Sequence, residues 1–293
     1  MQNNKKPWFI LISGPNGAGK TTFYNRIATQ SLFFKQAFFA NQDIEFAKLI
    51  NKPENAHLID QTTKKFYIAE MEQDENSGQN GLSQLAEYER ELELLELKFK
   101  YESGKIVLNK IYDAFSNGDN LIFETTGAGR TALSLINKAK NLYGYNVCSL
   151  HPYVLDPAVS IYRVSERVKQ GGHDVPPDVI IRRYKGGLNN LPEVLSSVNI
   201  GCVMDNSDTV PYKPIFMVHN GFVINFAECP DYLKSTHDII MSKFPEKNLT
   251  RTEIKNFGQE QREIFKVIQT SKFTNYKSYI KYYFNKVTKQ FSK

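Results

Sequence analysis

Residues 14–22 read Gly-Pro-Asn-Gly-Ala-Gly-Lys-Thr-Thr and match G-x-x-x-x-G-K-[ST], the phosphate-cradling loop pattern. Gly14, Pro15, Asn16, Gly17, Ala18 and Gly19 form a turn tight enough for several backbone N–H groups to face one anion. Lys20 is placed to reach the β- and γ-phosphates of a nucleoside triphosphate, and the Thr21 hydroxyl to bind Mg²⁺. Thr22 continues into a helix whose positive dipole end adds to the site. A nucleoside triphosphate with Mg²⁺ is therefore the expected ligand pair. Asp43 and Glu124 each close a short apolar run, where open α/β sheets build their sites. Asp43 could take a proton from an acceptor hydroxyl, support the metal, or cap the helix that follows. Glu124 could hold Mg²⁺ through water, orient an acceptor, or cap a loop. Arg130 follows a Gly-Ala-Gly turn that could turn it towards an anionic acceptor or leave it in solvent.

Arg163, Arg167, Arg182 and Arg183 flank Gly171-Gly172-His173-Asp174-Val175-Pro176. Guanidinium forks match phosphate oxygens, and a loop bearing them can close over a transferring group. Neighbours on a helix, Arg182 and Arg183 cannot both point inward. His173 could touch an acceptor or cap a turn.

The elements that must position these residues follow from the pattern. Trp8 to Ser13 is an unbroken apolar run, expected of a strand buried on both faces. Further strands are expected at 37–40, 120–126, 145–155 and 200–204, alternating with helices at 22–29, 44–50, 105–115, 131–142, 157–170 and 178–189. This alternation predicts an α/β fold with a mostly parallel sheet flanked by helices. A hairpin is expected over 214–226 around Asn220-Gly221, a type I′ signal. Residues 51–100 are polar, with a loop signature at 73–81 and a long amphipathic helix over 82–99, and read as an inserted helical segment. The expected division is a core over 1–229 with the insertion at about 51–100, and a basic helical extension over 230–293.

Composition bounds the partners. Of 293 residues, 41% are hydrophobic, enough for a sizeable core, and a net charge of +6 suits anionic ligands without itself indicating nucleic acid. The three cysteines have no metal-ligand spacing and read as reduced residues of a cytoplasmic protein. The first apolar run is too short for a signal peptide, leaving a signal-free route if the chain is exported, and no stretch is long enough to span a membrane. After Glu263 there is no acidic residue, and lysines alternate with tyrosines. Such a mix can stack on bases. Its aromatics fall at helical spacing, however, so a docking amphipathic helix is expected rather than nucleic-acid binding.

Several of these segments together resemble the zeta toxin family of P-loop kinases. They are Gly14 to Thr22; Asn41-x-Asp43; Phe123-Glu124-Thr125-Thr126 with Gly129-Arg130; and Arg163-Val164-x-x-Arg167-Val168-x-x-Gly171-Gly172-His173-x-Val175-Pro176 followed by Arg183-Tyr184. Glu102-Ser103-Gly104-Lys105 and Asp205-Asn206-Ser207 add to the likeness, which covers roughly residues 7–50 and 100–226. It implies ATP-dependent phosphorylation of a hydroxyl on a nucleotide sugar of the UDP-N-acetylglucosamine kind. Asp43 would be the base, Lys20 and Thr21 would serve the phosphates and Mg²⁺, and Arg167 and Arg183 would clamp the phosphates. Arg163 would lie near the nucleotide base, and Glu124, Thr125, Arg130 and His173 on the acceptor side. An antitoxin or another protein is an expected partner. The long 51–100 stretch and the basic end depart from the family pattern. Two alternatives stand beside this reading: a kinase of another nucleotide such as NAD, and a nucleotide-dependent nucleic-acid- or protein-binding module.

Overall fold

The computed structural model describes residues 6–71, 79–170, 174–207, 211–250, 252–253 and 256–270. The expected tail helix beyond residue 270 lies outside them. Two compact units are present, one formed by residues up to Phe39 and from Phe115 on, the other by Ala40–Ala114.

The first unit is built on a seven-stranded sheet. Its strands are β1 (Trp8–Ser13), β2 (Phe38–Asn41), β3 (Leu121–Thr125), β4 (Asn146–Tyr153), β5 (Ile200–Asp205), β6 (Lys213–His219) and β7 (Phe222–Asn225), in the order β2-β3-β1-β4-β5-β6-β7. β3, β1, β4 and β5 run parallel, and β6 and β7 add antiparallel. All six residues of β1 are buried, as a strand covered on both faces requires. The β6–β7 turn has Asn220 at φ 47° and Gly221 at φ 82°, the two positive values that a type I′ hairpin demands.

Helices cover both faces. Those of this unit are α1 (Lys20–Gln30), α2 (Leu32–Gln36), α6 (Thr131–Asn141), α7 (Pro157–Lys169), α8 (Pro177–Ser197), α9 (Asp231–Lys243) and α10 (Gln259–Thr270). Alternate strand residues sort the core into two layers. Ile10, Ile12, Cys148, Leu150, Cys202 and Met204 pack with Phe23 and Ile27 of α1 and with Ile264 and Ile268 of α10. Val203, Phe216 and Val218 pack on the opposite side with Tyr184 and Leu195 of α8 and Leu233 and Ile240 of α9. Cys148 and Cys202 are free and buried, and burial pushes both thiols up, keeping them inert.

α8 runs beyond the expected 189, through Pro192 to Ser197. The carbonyl of Pro192 accepts from the Ser196 hydroxyl at 2.7 Å, and Leu191, Val194 and Leu195 are buried, so apolar packing carries the helix past its proline.

The second unit is helical, with α3 (Gln42–Ile50), α4 (Pro53–Met71) and α5 (Gln79–Asn117), whose last three residues belong to the first unit. The sequence suggests a break near Ser103-Gly104, but α5 is continuous over 39 residues. Gln42 Nε2 donates to the Lys100 carbonyl at 2.9 Å, Ser103 Oγ donates to the same oxygen at 2.8 Å, and the buried face of Phe99, Ser103, Val107 and Ile111 runs straight across the position. No helix among the described residues is long and apolar enough to cross a membrane.

Candidate functional site: a phosphate loop between three strand ends

The parallel register builds the site. Ile12 of β1 lies level with Glu124 of β3, and Ser13 with Thr125. The chain leaving β1 therefore passes the β3 carboxylate as it turns into α1. Within the turn, Gly17 and Gly19 have φ of 74° and 87°, the left-handed region that a side chain resists. The turn is also enclosed. A Cβ on Gly14 would fall 2.2 Å from the Pro152 carbonyl oxygen of β4, and one on Gly17 would fall 2.6 Å from that of Ser160 in α7. Ser13 Oγ and His151 Nδ1 of β4 lie 2.7 Å apart beneath the turn, both side chains buried. Burial lowers the His151 pKa to about 3, so the ring is neutral.

Two residues that sequence reasoning had not placed in the site hold the loop from behind. Asn206, just past β5, donates through Nδ2 to the Ala18 carbonyl at 2.9 Å, and its Oδ1 accepts from the Tyr212 backbone N–H at 3.2 Å. Tyr212 Oη donates to the Gly19 carbonyl at 2.9 Å, and its ring packs on Phe23 of α1 at 4.8 Å. The signal for Asn206 was its place at a strand's carboxyl end. Tyr212 gave none, since nothing in its local sequence points back to residue 19.

The expected chemical groups fall as follows. Lys20 Nζ donates to the Pro15 carbonyl at 2.9 Å, inside the loop it was expected to serve. Thr21 Oγ1 donates to Glu124 at 2.8 Å to Oε1 and 3.1 Å to Oε2. Thr21 is exposed while Glu124 is 7% exposed, so the pair offers hard oxygen ligands at the mouth of the loop. This donor set fits Mg²⁺, which takes one or two protein oxygens and fills its shell with water and phosphate oxygens. No group of three or more His, Cys, Asp or Glu able to hold a metal occurs among the described residues.

Arg163 of α7 reaches the Asn206 carbonyl at 2.9 Å and the Gly17 carbonyl at 3.4 Å. Arg183 of α8 reaches Asn16 Oδ1 at 3.1 Å. These two arginines thus meet the loop itself. Arg167, near the end of α7, and Arg182 are exposed. Arg130 pairs with Glu193 of α8 at 2.5 Å while remaining 74% exposed. Thr125 is half-buried, its hydroxyl accepting from the Gly127 N–H at 3.4 Å. His173 lies outside the described residues. In the second unit, Asp43 is the second residue of α3 and is exposed. The cap of that helix is Asn41, whose Oδ1 accepts from the Ile44 N–H at 3.1 Å, so the capping role considered for Asp43 is already filled.

Fold and site together define an α/β protein of the P-loop type, with its glycine-rich loop at the carboxyl ends of a parallel sheet. No family model matches this sequence, and no curated protein is recognisably similar to it. Among solved structures, the chain is similar to one from the PezAT chromosomal toxin–antitoxin system of Streptococcus pneumoniae, with 16% identity and a TM-score of 0.47 over 92% of this chain and 90% of that one. It is also similar to a structure of AvrRxo1-ORF1:-ORF2 with ATP, with 15% identity and a TM-score of 0.41 over 92% of this chain and 76% of that one.

Proposed function

We propose that the protein is an ATP-dependent kinase that transfers the γ-phosphoryl group to a hydroxyl of a nucleotide sugar of the UDP-N-acetylglucosamine kind. The observation that carries this reading is the Thr21–Glu124 hydrogen bond at the mouth of a phosphate loop that Arg163 and Arg183 also reach. Phosphoryl transfer needs positioning and charge neutralisation more than covalent chemistry, and these groups supply both. Lys20 leaves the Pro15 carbonyl to take the β- and γ-phosphates, while Thr21 and Glu124 hold Mg²⁺, which neutralises phosphate charge when bound. Arg183 and Arg167 stabilise the charge that spreads over the transferring oxygens.

Asp43 is the base in this reading. It takes the proton of the acceptor hydroxyl as the new P–O bond forms and the bond to ADP breaks. Glu124, Thr125, Arg130 and His173 serve the acceptor side. The resemblance that suggests the acceptor also suggests an antitoxin-type protein partner.

The test is incubation with labelled ATP and Mg²⁺ against a panel of nucleotide sugars and dinucleotides, with products identified by mass. One nucleotide sugar should gain a single phosphate. A phosphorylated dinucleotide would move the acceptor to a NAD-like nucleotide. ATP binding with no product across the panel would overturn the kinase reading in favour of a nucleotide-dependent binding module. Asp43→Asn should bind Mg²⁺-ATP nearly as wild type while turnover falls by about 10²–10⁴-fold. Loss of Mg²⁺-dependent nucleotide binding in that variant would make Asp43 a metal ligand instead.

A further inference from the structure

α5 has two apolar faces, and among the described residues only one is covered. Phe99, Val107 and Ile111 are buried, with Leu92 and Leu95 partly covered on the same side. On the other side Leu94, Leu97 and Tyr101 are 57%, 61% and 69% exposed. Their i, i+3, i+7 spacing stacks them into one stripe over two turns. The outward face of a surface helix is ordinarily polar, and a contiguous exposed apolar stripe marks an interaction surface.

The charge around the stripe identifies its occupant. On the N-terminal side α5 carries Glu87, Glu89, Glu91, Glu93 and Glu96 against Arg90; on the C-terminal side it carries Lys98, Lys100 and Lys105 against Glu102, with Lys100 paired to Glu96 one turn back and Lys110, further on, paired to Glu45 of α3 at 2.8 Å. A helix acidic in one half and basic in the other is complementary to a copy of itself running the opposite way. A parallel copy would set like against like.

We propose that this face of α5 is an isologous dimer interface, in which α5 of one protomer packs antiparallel on α5 of its partner about a two-fold axis close to Leu97. In that arrangement Leu94, Leu97 and Tyr101 of the two copies interleave. The helical positions bring Glu93 towards Lys100 of the other copy and Glu87 towards Lys105, once on each side of the axis. Lys105 Nζ already lies 5.6 Å from the Tyr101 ring centroid, so it stands at the edge of the stripe. The contact is short beside interfaces of about 1,600 Å² that hold stable complexes, so association falls in the micromolar range.

Sedimentation velocity of the full chain over a concentration series tests this. The wild type should pass from monomer to dimer, and Leu97→Glu should weaken dimerisation by about tenfold or more, as loss of a central contact does. Leu97 is exposed, so nucleotide binding should be unchanged and will show that the variant is folded. Charge reversal gives an independent arm. Glu87→Lys with Glu93→Lys cancels the net charge of the acidic half and sets lysine against lysine at both contacts, and Lys100→Glu with Lys105→Glu sets glutamate against glutamate there. Each variant alone should be monomeric, and an equimolar mixture should restore the dimer. A wild type that stays monomeric at high micromolar concentration, a Leu97→Glu protein that dimerises undiminished, or charge variants that fail to pair on mixing would each overturn the proposal. Any of these results would leave the kinase reading untouched.

Discussion

At the scale of single residues, the site is a set of groups satisfied by one another. Lys20 rests on the Pro15 carbonyl, and Thr21 on Glu124. On the proposed kinase reading, Lys20 would exchange its bond for one to phosphate, and Thr21 with Glu124 would offer oxygens to Mg²⁺. Lys20→Ala removes the positive charge at the β- and γ-phosphates and should abolish tight ATP binding in a folded protein, as calorimetry would show. Undiminished affinity would sink the phosphate-loop assignment. Glu124→Gln keeps the acceptor for the Thr21 hydroxyl but removes a carboxylate from a buried position. It should bind ATP without Mg²⁺ as wild type does and lose the Mg²⁺-dependent part of affinity and turnover, which a Mg²⁺ titration separates. Equal Mg²⁺ dependence in the two proteins would take Glu124 out of the metal site. Local pattern made Lys20, Thr21 and Glu124 legible, because loop chemistry and strand ends are written in short runs of residues. The partners of Arg130, Asn206 and Tyr212 were not legible. They join residues far apart in the chain through packing that no local pattern encodes.

At the scale of elements, two glycines in helices show how context sets the sign of a substitution. Gly104 lies inside α5, where its Cβ position meets only the flexible end of Gln42 at 3.4 Å. Glycine in a helix interior costs about 0.5–1 kcal/mol relative to alanine, so Gly104→Ala should stabilise the helical unit by roughly that amount. Gly187 lies inside α8, and its Cβ position falls 2.8 Å from Tyr153 Oη and 3.3 Å from the Thr126 carbonyl oxygen. There the helix approaches the loop after β3, and Asn190 Nδ2 holds that loop by its Gly127 and Ala128 carbonyls, at 3.0 Å each. Gly187→Ala should therefore lower stability despite the better helix former, and displace the chain that carries Arg130. Denaturant midpoints of the two variants should move in opposite directions, and movement in the same direction would refute this account. The same contrast explains the misread helix boundaries. Ser103-Gly104 and Pro192 are breakers by propensity, and tertiary packing overrode them. The strand runs and the Asn220-Gly221 turn had no such conflict, and the structure has them as the sequence suggests.

At the scale of the whole molecule, alternation of apolar runs with helical periods was enough to predict the parallel sheet, because each strand buried on both faces must be apolar throughout. Strand order and the antiparallel joining of the β6–β7 hairpin to β5 depend on pairing between distant segments and were not readable. That sheet also buries two histidines. His151 is fully enclosed with its pKa lowered to about 3, and burial lowers His219 as well. A histidine in the unfolded chain titrates near 6.5. Below that pH the unfolded chain binds protons that the native rings refuse, so acid favours unfolding. The contribution is fully present above about pH 6.5 and is lost progressively as pH falls towards 3, where His151 would itself protonate in the native state. One such ring gives a limiting slope of about 1.4 kcal/mol per pH unit, and His219 steepens it over the upper part of the range. Between pH 7 and 5, above the range in which carboxylates titrate, these rings dominate the dependence. Unfolding free energy from urea titration should therefore fall across that interval, and His151→Gln should flatten the fall whatever it does to stability at pH 7. A profile equally steep in the variant would show that His151 is not the group that couples folding of the sheet to pH.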